Sequence, residues 1–367
     1  HGDMAIYETL VRLTRGNDAL LTPFIDSKGN FGKQFSRDMA FAASRYTEVK
    51  LDKICEEIFK NIDKNTVDFI DNYDGSMKEP VLFPTTFPNI LVTNNQGIAV
   101  SMASSICSFN LKEVCDVTIK FIKNENIDIK KYLKAPDFSS GGELIYNEKE
   151  INNIYQTGRG SFKLRGKYRF DKKNSLIEIY EIPYTTTVEA IIDKIINLVK
   201  TNKIKEINDV RNETDKNGLK IAIDIKKSAN AELLMHKLYS MTPLSDGVPK
   251  TMSVKEILTE WLKFRIQCIK RQTAYDLEKK KVKHHLLSGL SKILLDIDKA
   301  ISIIRDTEED NMVIPNLIDG FNIDKEQAEY IDIIKLRNLN KEYLLNRVKE
   351  REQLEKDMKE LKDIYDS

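Results

Sequence analysis

The sequence is short of the residues that mark several classes of protein. Its 367 residues include four cysteines, which form no CxxC pair and show no metal-ligand spacing, so we expect a reduced, cytoplasmic protein. No apolar run approaches the roughly 20 residues of a membrane-spanning helix, which excludes a helical membrane protein. A Gly-rich phosphate loop and the HExxH and GxSxG motifs are also absent, so no common nucleotide-binding or hydrolase pattern applies.

An excess of charge of either sign is lacking as well. The sequence has 58 Lys and Arg against 57 Asp and Glu, a formal net charge of +1, so an anionic partner would have to be held by local clusters. With 41% hydrophobic and 31% charged residues the chain is not a disordered polymer, and its length suggests two or three domains. It begins at His1 without an initiator Met, so we expect it to be part of a longer protein.

The first 107 residues combine helical and strand patterns. Asp3 is predicted to cap a helix over residues 4–15. The predicted buried stripe of this helix is Ile6, Leu10 and Leu13, and the opposite face carries Met4, Glu8 and Arg12. A second helix is predicted over residues 51–62. Residues 72–107 are rich in Pro, Asn, Thr and Gly, which indicates short strands and turns.

The remaining pattern changes from strands to long helices. Alternating apolar residues over 158–187 predict antiparallel strands, and a helix is predicted over 187–200. Two heptad seams follow: Leu286, Leu290, Ile293, Ile297, Ala300 and Ile304, then Leu344, Val348, Leu354, Met358, Leu361 and Tyr365. They predict an antiparallel coiled-coil hairpin with a small helical domain at its tip. A plain helical bundle is the alternative.

A series of short motifs is more informative about function than the composition is. In order along the chain they are HGD (1–3), AIYETLVR (5–12), GNFG (29–32), RYTE (45–48), TVDF (66–69), NYDG (72–75), FPNILV (87–92), GIAVSMA (97–103), PDF (136–138) and TGRGS (157–161). Their order and near-equal spacing resemble the breakage-reunion region of the A subunit of bacterial type IIA DNA topoisomerases. Both DNA gyrase and topoisomerase IV fit this resemblance, and residues 139–150 lean towards topoisomerase IV-like sequences.

The resemblance implies that Tyr46 attacks a DNA phosphodiester to form a transient 5′-phosphotyrosyl link, with Arg45 as its electrostatic partner. The chemistry is reasonable, because a phenol with a pKa near 10 needs a base, a metal or nearby positive charge to become a nucleophile. An adjacent Arg can also hold the non-bridging oxygens on which charge develops. Taken alone, an Arg-Tyr pair is far more often structural, with the ring packed in a core.

Further DNA contacts are implied by the same resemblance. His1 would lie close to the scissile phosphate, and Ile98 matches an intercalating isoleucine that wedges between base steps. An ordinary strand core is the alternative for Ile98, and Ala99 and Val100 are predicted to be core residues.

A basic row follows the TGRGS motif. Arg159 and Lys163 begin it, and Lys163, Arg165, Lys167 and Arg169 have the same parity along a predicted strand pair. These side chains could follow DNA phosphates on one face. Solvated edge-strand charges that prevent aggregation are an equally good explanation.

Met4 and Glu8 occupy two drug-site positions of the family. There a small hydroxyl residue and an acid, one helical turn apart, anchor the water–metal bridge that holds fluoroquinolones. Glu8 keeps the acid, but the thioether of Met4 cannot replace a hydroxyl. We therefore expect a weak response to fluoroquinolones.

The resemblance implies an α+β multidomain protein. Residues 1–92 would be the remainder of a winged-helix domain, residues 93–250 an α/β tower domain, and residues 251–367 a long antiparallel coiled coil with a small helical C-gate domain. Preceding winged-helix helices and a C-terminal β-pinwheel are expected outside this chain.

The implied partners are double-stranded DNA, a second copy of the chain and a B subunit, in an A2B2 heterotetramer without membrane contact. The B subunit would hold Mg²⁺ and bind and hydrolyse ATP, so the chain would be catalytic only with it, in the cytoplasm at the nucleoid. No metal site is expected on this chain. The alternative is a non-catalytic coiled-coil protein that organises DNA, in which Tyr46 is a core residue.

Overall fold

The computed structural model describes residues 2–100, 102–215, 217–250, 253–335, 338 and 340–366. They form a mixed α/β structure with one long helix and several small sheets. The chain divides into two compact units, His1–Lys60 with Thr85–Phe264 and Asn61–Pro84 with Arg265–Ser367. Both predicted domain boundaries, after residues 92 and 250, fall inside the first unit.

The elements are numbered in chain order. The helices are α1 (Asp3–Leu13), α2 (Cys55–Ile58), α3 (Leu111–Lys123), α4 (Glu148–Thr157), α5 (Val188–Lys200), α6 (Ala231–Met241), α7 (Val254–Ile293), α8 (Ile297–Asp306), α9 (Val313–Phe321), α10 (Lys325–Asp332) and α11 (Lys341–Asp366). The strands are β1 (Ile25–Lys28), β2 (Phe31–Lys33), β3 (Ser36–Phe41), β4 (Glu48–Leu51), β5 (Phe69–Asp71), β6 (Lys78–Pro80), β7 (Asn95–Ala99), β8 (Met102–Ile106), β9 (Glu143–Leu144), β10 (Gly160–Arg165), β11 (Lys167–Asp171), β12 (Leu176–Glu181), β13 (Ile207–Asn212), β14 (Ile221–Ile225) and β15 (Ser245–Lys250). None of the described helices is long and apolar enough to cross a membrane.

The first unit begins with α1 and two antiparallel strand pairs, β1 with β4 and β2 with β3. Helix α1 buries Tyr7 and Val11 against Phe31, whereas Ile6 is exposed and Leu10 and Leu13 are only half-buried. The predicted buried stripe of this helix is therefore wrong. Tyr7, which packs against Phe31, determines which face of α1 is buried.

The helix predicted over residues 51–62 is also wrong in extent. Leu51 pairs with Ile25 at the end of the β1–β4 sheet, and the backbone carbonyl of Asp52 then accepts a 2.9 Å hydrogen bond from Cys55 N. Helix α2 is a single turn, and Asn61 beyond it has a left-handed φ of 60°. Sheet pairing thus takes Leu51 from the predicted helix, and the left-handed residue Asn61 lies where the helix was predicted to continue.

Two larger antiparallel sheets complete the first unit, in the orders β15-β10-β9 and β11-β12-β14-β13. Strands β10, β11 and β12 confirm the prediction for residues 158–187. Helix α5 confirms the prediction for residues 187–200, and the Thr187 side chain caps it by accepting from Ala190 N at 3.3 Å. Helices α5 and α6 contribute to the core of the second sheet through residues such as Ile191, Ile195, Leu234 and Leu238.

The second unit pairs the end of α7 with α11. Lys280 Nζ lies 2.6 Å from Asp357 Oδ2, and His284 Nε2 lies 2.9 Å from Glu355 Oε1, so the two helices run antiparallel. Helices α8, α9 and α10 form a small helical cluster whose core includes Leu287, Leu290, Leu317, Ala328 and Leu354. The β5–β6 hairpin is fixed to α7 by Arg271, whose Nε donates to Asn65 O at 2.6 Å.

The first predicted heptad seam does not continue as one helix. Helix α7 ends at Ile293, and α8 begins at Ile297 after Asp296, whose side chain accepts from Lys299 N at 3.0 Å. The cap and the turn before it interrupt the seam, because they redirect the chain into the small helical cluster. The second seam lies within α11, where Leu344 and Leu354 are buried but Tyr365 is exposed.

Candidate functional site

Tyr46 lies on a short loop that leaves its side chain open to solvent. Residues Ser44–Tyr46 form one 3-10 turn between β3 and β4, held by Tyr46 N donating to Ala43 O at 3.0 Å and Thr47 N to Ser44 O at 3.2 Å. Tyr46 is 68% exposed. The alternative in which its ring is packed in a core is therefore wrong.

Arg45 is brought directly to the Tyr46 ring. Its guanidinium carbon lies 4.8 Å from the ring centroid, within the range of a cation–π contact. A permanent positive charge therefore stands beside the phenol, on the exposed side of the loop. An anionic group that approached the Tyr46 hydroxyl would meet this charge.

The loop that carries Tyr46 is fixed to α1 by a residue that the sequence interpretation missed. The Tyr7 hydroxyl donates to Ala42 O at 2.8 Å and lies 2.9 Å from Thr47 Oγ1. Ala42 is held a second time, because its N–H donates to Asn30 O at 2.8 Å. Gly29 has a φ of 113°, and a Cβ there would lie 3.1 Å from Tyr46 O, so the GNFG turn fits closely under the loop.

The outer face of α1 presents the two drug-site positions. Met4 is 60% exposed, and Glu8 is exposed one turn further along the helix. Their shared face agrees with the prediction, although the buried face of the helix does not. His1, the predicted neighbour of the scissile phosphate, lies outside the described residues.

Ile98 stands at the end of a two-stranded hairpin. Strands β7 and β8 pair with Ile98 opposite Ala103, and they form a sheet of their own. Ile98 is 84% exposed and Val100 is 93% exposed. The prediction that Ala99 and Val100 are core residues is wrong, because the hairpin end has no packed face. The exposure of Ile98 likewise excludes the alternative in which it is an ordinary core residue of a strand. Its apolar side chain is open to solvent.

The predicted basic row does not form one continuous face. Lys163 and Arg165 lie in β10 and Lys167 and Arg169 in β11, which belong to different sheets. The break falls at Gly166, whose N–H donates to Leu244 O at 2.8 Å. A Cβ at this glycine would lie 2.8 Å from Glu181 O, so the chain passes too tightly for a regular strand to continue.

Most of this row is also neutralised by neighbouring carboxylates. Arg165 pairs with Glu143 at 2.8 Å, Lys167 with Glu181 at 2.9 Å, and Arg169 with Glu178. Arg159 and Lys163 are exposed and form no ion pair with the described residues. Among the row, these two side chains have the charge most available to an anionic ligand.

No group of three or more His, Cys, Asp and Glu within the described ranges is arranged to hold a metal ion. The adjacent histidines of α7 are engaged separately, His284 with Glu355 and His285 with Asp324 at 2.6 Å.

Comparison with known proteins gives the family. The model of the DNA gyrase/topoisomerase IV family of A subunits matches residues 1–367. The chain belongs to this family. It is 38% identical over 377 residues to the DNA gyrase A subunit of Halalkalibacterium halodurans, covering 98% of the chain and 44% of that relative. It is 37% identical over 384 residues to the DNA gyrase A subunit of Ureaplasma parvum, covering 100% of the chain and 45% of that relative.

A third relative, the DNA gyrase A subunit of Clostridium acetobutylicum, is 39% identical over 356 residues, covering 92% of the chain and 42% of that relative. The chain thus spans less than half the length of these members of the gyrase/topoisomerase IV family. All three carry the gyrase name, so they give no support to the lean of residues 139–150 towards topoisomerase IV.

Proposed function

We propose that the chain is the DNA breakage-reunion part of an ATP-dependent type IIA topoisomerase, with Tyr46 as its nucleophile. The observation that carries the proposal is the exposed Tyr46 side chain beside the Arg45 guanidinium, on a loop anchored at both ends. A ring with a mainly structural role would be expected in a core. Membership of the family of gyrase and topoisomerase IV A subunits agrees with this chemistry.

The proposed reaction exchanges one phosphate ester for another. Tyr46 Oη, on losing its proton, attacks a backbone phosphorus; the bond from phosphorus to the 3′ oxygen breaks, and this oxygen leaves as a 3′ hydroxyl after taking up a proton. The 5′-phosphotyrosyl ester conserves the bond energy, so the reverse attack reseals the strand. Arg45 stabilises the negative charge that develops on the non-bridging oxygens.

We further propose that DNA contacts surround this loop. The exposure of Ile98 supports a role as a wedge between base steps. Arg159 and Lys163 would contact phosphates, and Arg165 would do so only by leaving Glu143. His1 would contribute next to the scissile phosphate.

The proposed architecture follows the family. Residues 1–92 would be the winged-helix remainder, residues 93–250 the tower, and residues 251–367 the coiled coil with its C-gate. A homodimer would bring two Tyr46 residues to opposite strands, and a second duplex would pass between them. Exposed apolar side chains in and around the small helical cluster of the second unit, including Leu295, Met312 and Ile333, support its use in dimerisation.

The chain would work with a B subunit in an A2B2 assembly at the nucleoid in the cytoplasm. We propose that the B subunit holds Mg²⁺ and binds ATP, as the resemblance to the family implies. The exposed face of Met4 and Glu8 would be the fluoroquinolone contact, weakened by the missing hydroxyl.

The test is trapping of a covalent adduct. The complete A subunit, with the B subunit, Mg²⁺ and a suicide DNA substrate, should yield a protein–DNA adduct that Tyr46→Phe abolishes. The matched control is Tyr73→Phe, because Tyr73 is a 98% exposed tyrosine of the second unit, between β5 and β6, and should not affect the adduct. A DNA-organising structural protein would give no adduct in any of the three proteins.

A further inference from the structure

We propose that Tyr7 is a positioning residue for strand cleavage, because its hydroxyl holds the loop that carries Tyr46. This inference rests on the proposed function of Tyr46. The two groups that the Tyr7 hydroxyl contacts, Ala42 O at 2.8 Å and Thr47 Oγ1 at 2.9 Å, lie on either side of the 3-10 turn Ser44–Tyr46. The Tyr7 hydroxyl oxygen therefore contacts the chain at both ends of the turn.

The Tyr7 side chain is well fixed itself. The residue is buried, and its ring centroid lies 5.7 Å from that of Phe41 in an edge-on contact and 6.5 Å from that of Phe31. Packing of the ring thus sets where the hydroxyl stands. The hydroxyl in turn defines the distance between α1 and the loop.

The proton count explains why the hydroxyl matters. Tyr7 donates its one hydroxyl proton to Ala42 O, and Thr47 has one hydroxyl proton for two acceptors, Tyr7 Oη and Ser44 O. Thr47 Oγ1 also lies 3.1 Å from Ser44 O, inside the turn. The turn and the α1 contact therefore share the Thr47 hydroxyl, and loss of the Tyr7 oxygen leaves Ala42 O without this donor.

The Tyr46 side chain has little to hold it apart from this framework. The contact that the structure gives its ring is with Arg45, another exposed side chain. Its position in space therefore depends on the backbone of the turn, which Tyr7 contacts at both ends and Asn30 holds at Ala42. A small displacement of a nucleophile costs a large factor in rate, since in-line attack needs close alignment.

The experiment uses Tyr7→Phe in the complete A subunit reconstituted with the B subunit, because this change keeps the ring packing and removes only the oxygen. At saturating suicide substrate we expect adduct formation to slow by about 10- to 100-fold, with the dissociation constant for DNA changed by less than about twofold. Tyr73→Phe is the matched control and should react at the wild-type rate.

Substitutions of Thr47 test the contact between the Tyr7 and Thr47 hydroxyls from the other partner. Thr47→Ser keeps the hydroxyl and should react close to the wild-type rate, whereas Thr47→Val should slow adduct formation as Tyr7→Phe does. The double variant Tyr7→Phe/Thr47→Val should be slowed by less than the product of the two single effects, because the changes share the contact between the two hydroxyls although each also removes one bond of its own.

Wild-type rates in a folded Tyr7→Phe protein would overturn the inference, as would equal rates for Thr47→Ser and Thr47→Val if Tyr7→Phe does not fold. A loss confined to DNA affinity would overturn it too. If the wild-type assembly itself forms no adduct, the proposed function of Tyr46 fails instead, so the two failures are distinguishable.

Discussion

Shortening Ile98 to alanine should weaken DNA bending while leaving the protein folded. Because Ile98 is 84% exposed, the free protein gains little stability from it. Insertion between base steps would bury most of this surface, and Ile→Ala removes three carbon groups worth about 0.8 kcal/mol each when buried. After scaling by the exposed fraction, the loss is about 2 kcal/mol, which corresponds to roughly a 30-fold weaker bent complex.

The assay is energy transfer across a duplex labelled at both ends, titrated with the reconstituted assembly at fixed salt. Val100→Ala is the matched control, since Val100 is exposed on the same hairpin but is not the predicted wedge. We expect Ile98→Ala to lose the bent population and Val100→Ala to keep it, with equal melting temperatures. Equal effects of the two changes, or a wild-type bend in Ile98→Ala, would refute the reasoning.

Three further predictions concern the predicted drug site, a glycine in β2 and an acidic group. Met4→Ser should raise fluoroquinolone-stabilised cleavage, and a wild-type enzyme already as sensitive would contradict this. Gly32→Ala should lower the free energy of unfolding in urea by more than about 2 kcal/mol. The backbone there has a positive φ of 66°, and the added Cβ would lie 2.5 Å from a backbone carbonyl oxygen, that of Met39. Gly75→Ala, where φ is 70° and no atom lies within 4 Å, should cost only about 1 kcal/mol, and equal losses would exclude the clash. The side chain of Lys220 holds the pKa of Glu178 below its ordinary value. The Glu178 carboxylate therefore stabilises the folded state when the pH is above the ordinary pKa of a glutamate, and this stabilisation is lost as the pH falls through the pKa of the folded protein. The melting temperatures of wild type and Glu178→Gln should consequently differ at pH 7 and converge at low pH.

The loop that carries Tyr46 was predictable only in its residue types. The RYTE motif indicated Tyr46 and Arg45, and the structure adds that both are exposed and in contact. The support from Tyr7 was not predictable from periodicity, because its partners at 42 and 47 are 35 and 40 residues away in the chain. Local spacing carries no information on contacts of that kind.

Strand alternation was reliable where one face is buried. Residues 158–187 form β10, β11 and β12, whose inward side chains such as Phe162 and Ile179 are fully buried. The same rule wrongly placed the basic row on one face. Residues of the same parity share a face only within one continuous strand, and strand β10 ends before Gly166. The core prediction for Val100 was wrong for another reason, because the end of a two-stranded hairpin has no second layer to bury it.

Helical periodicity identified long helices better than their ends. The pairing of α7 with α11 was foreseen, but the seam through Ile293 and Ile297 crosses a turn. Hydrophobic spacing persists there because both helices line the same small core, which heptad counting cannot distinguish from one continuous helix. The Asp296 cap was the local signal that a new helix starts.

The most direct test of the central claim is to identify the side chain that holds the DNA. After trapping with a suicide substrate and digestion with nuclease and trypsin, the peptide that begins at Tyr46, after cleavage at Arg45, should carry a covalently bound nucleotide through the phenolic oxygen. Fragmentation should place the added mass on Tyr46, and Tyr46→Phe should remove it. A nucleotide on any other residue, or a trapped adduct that survives Tyr46→Phe, would contradict the account.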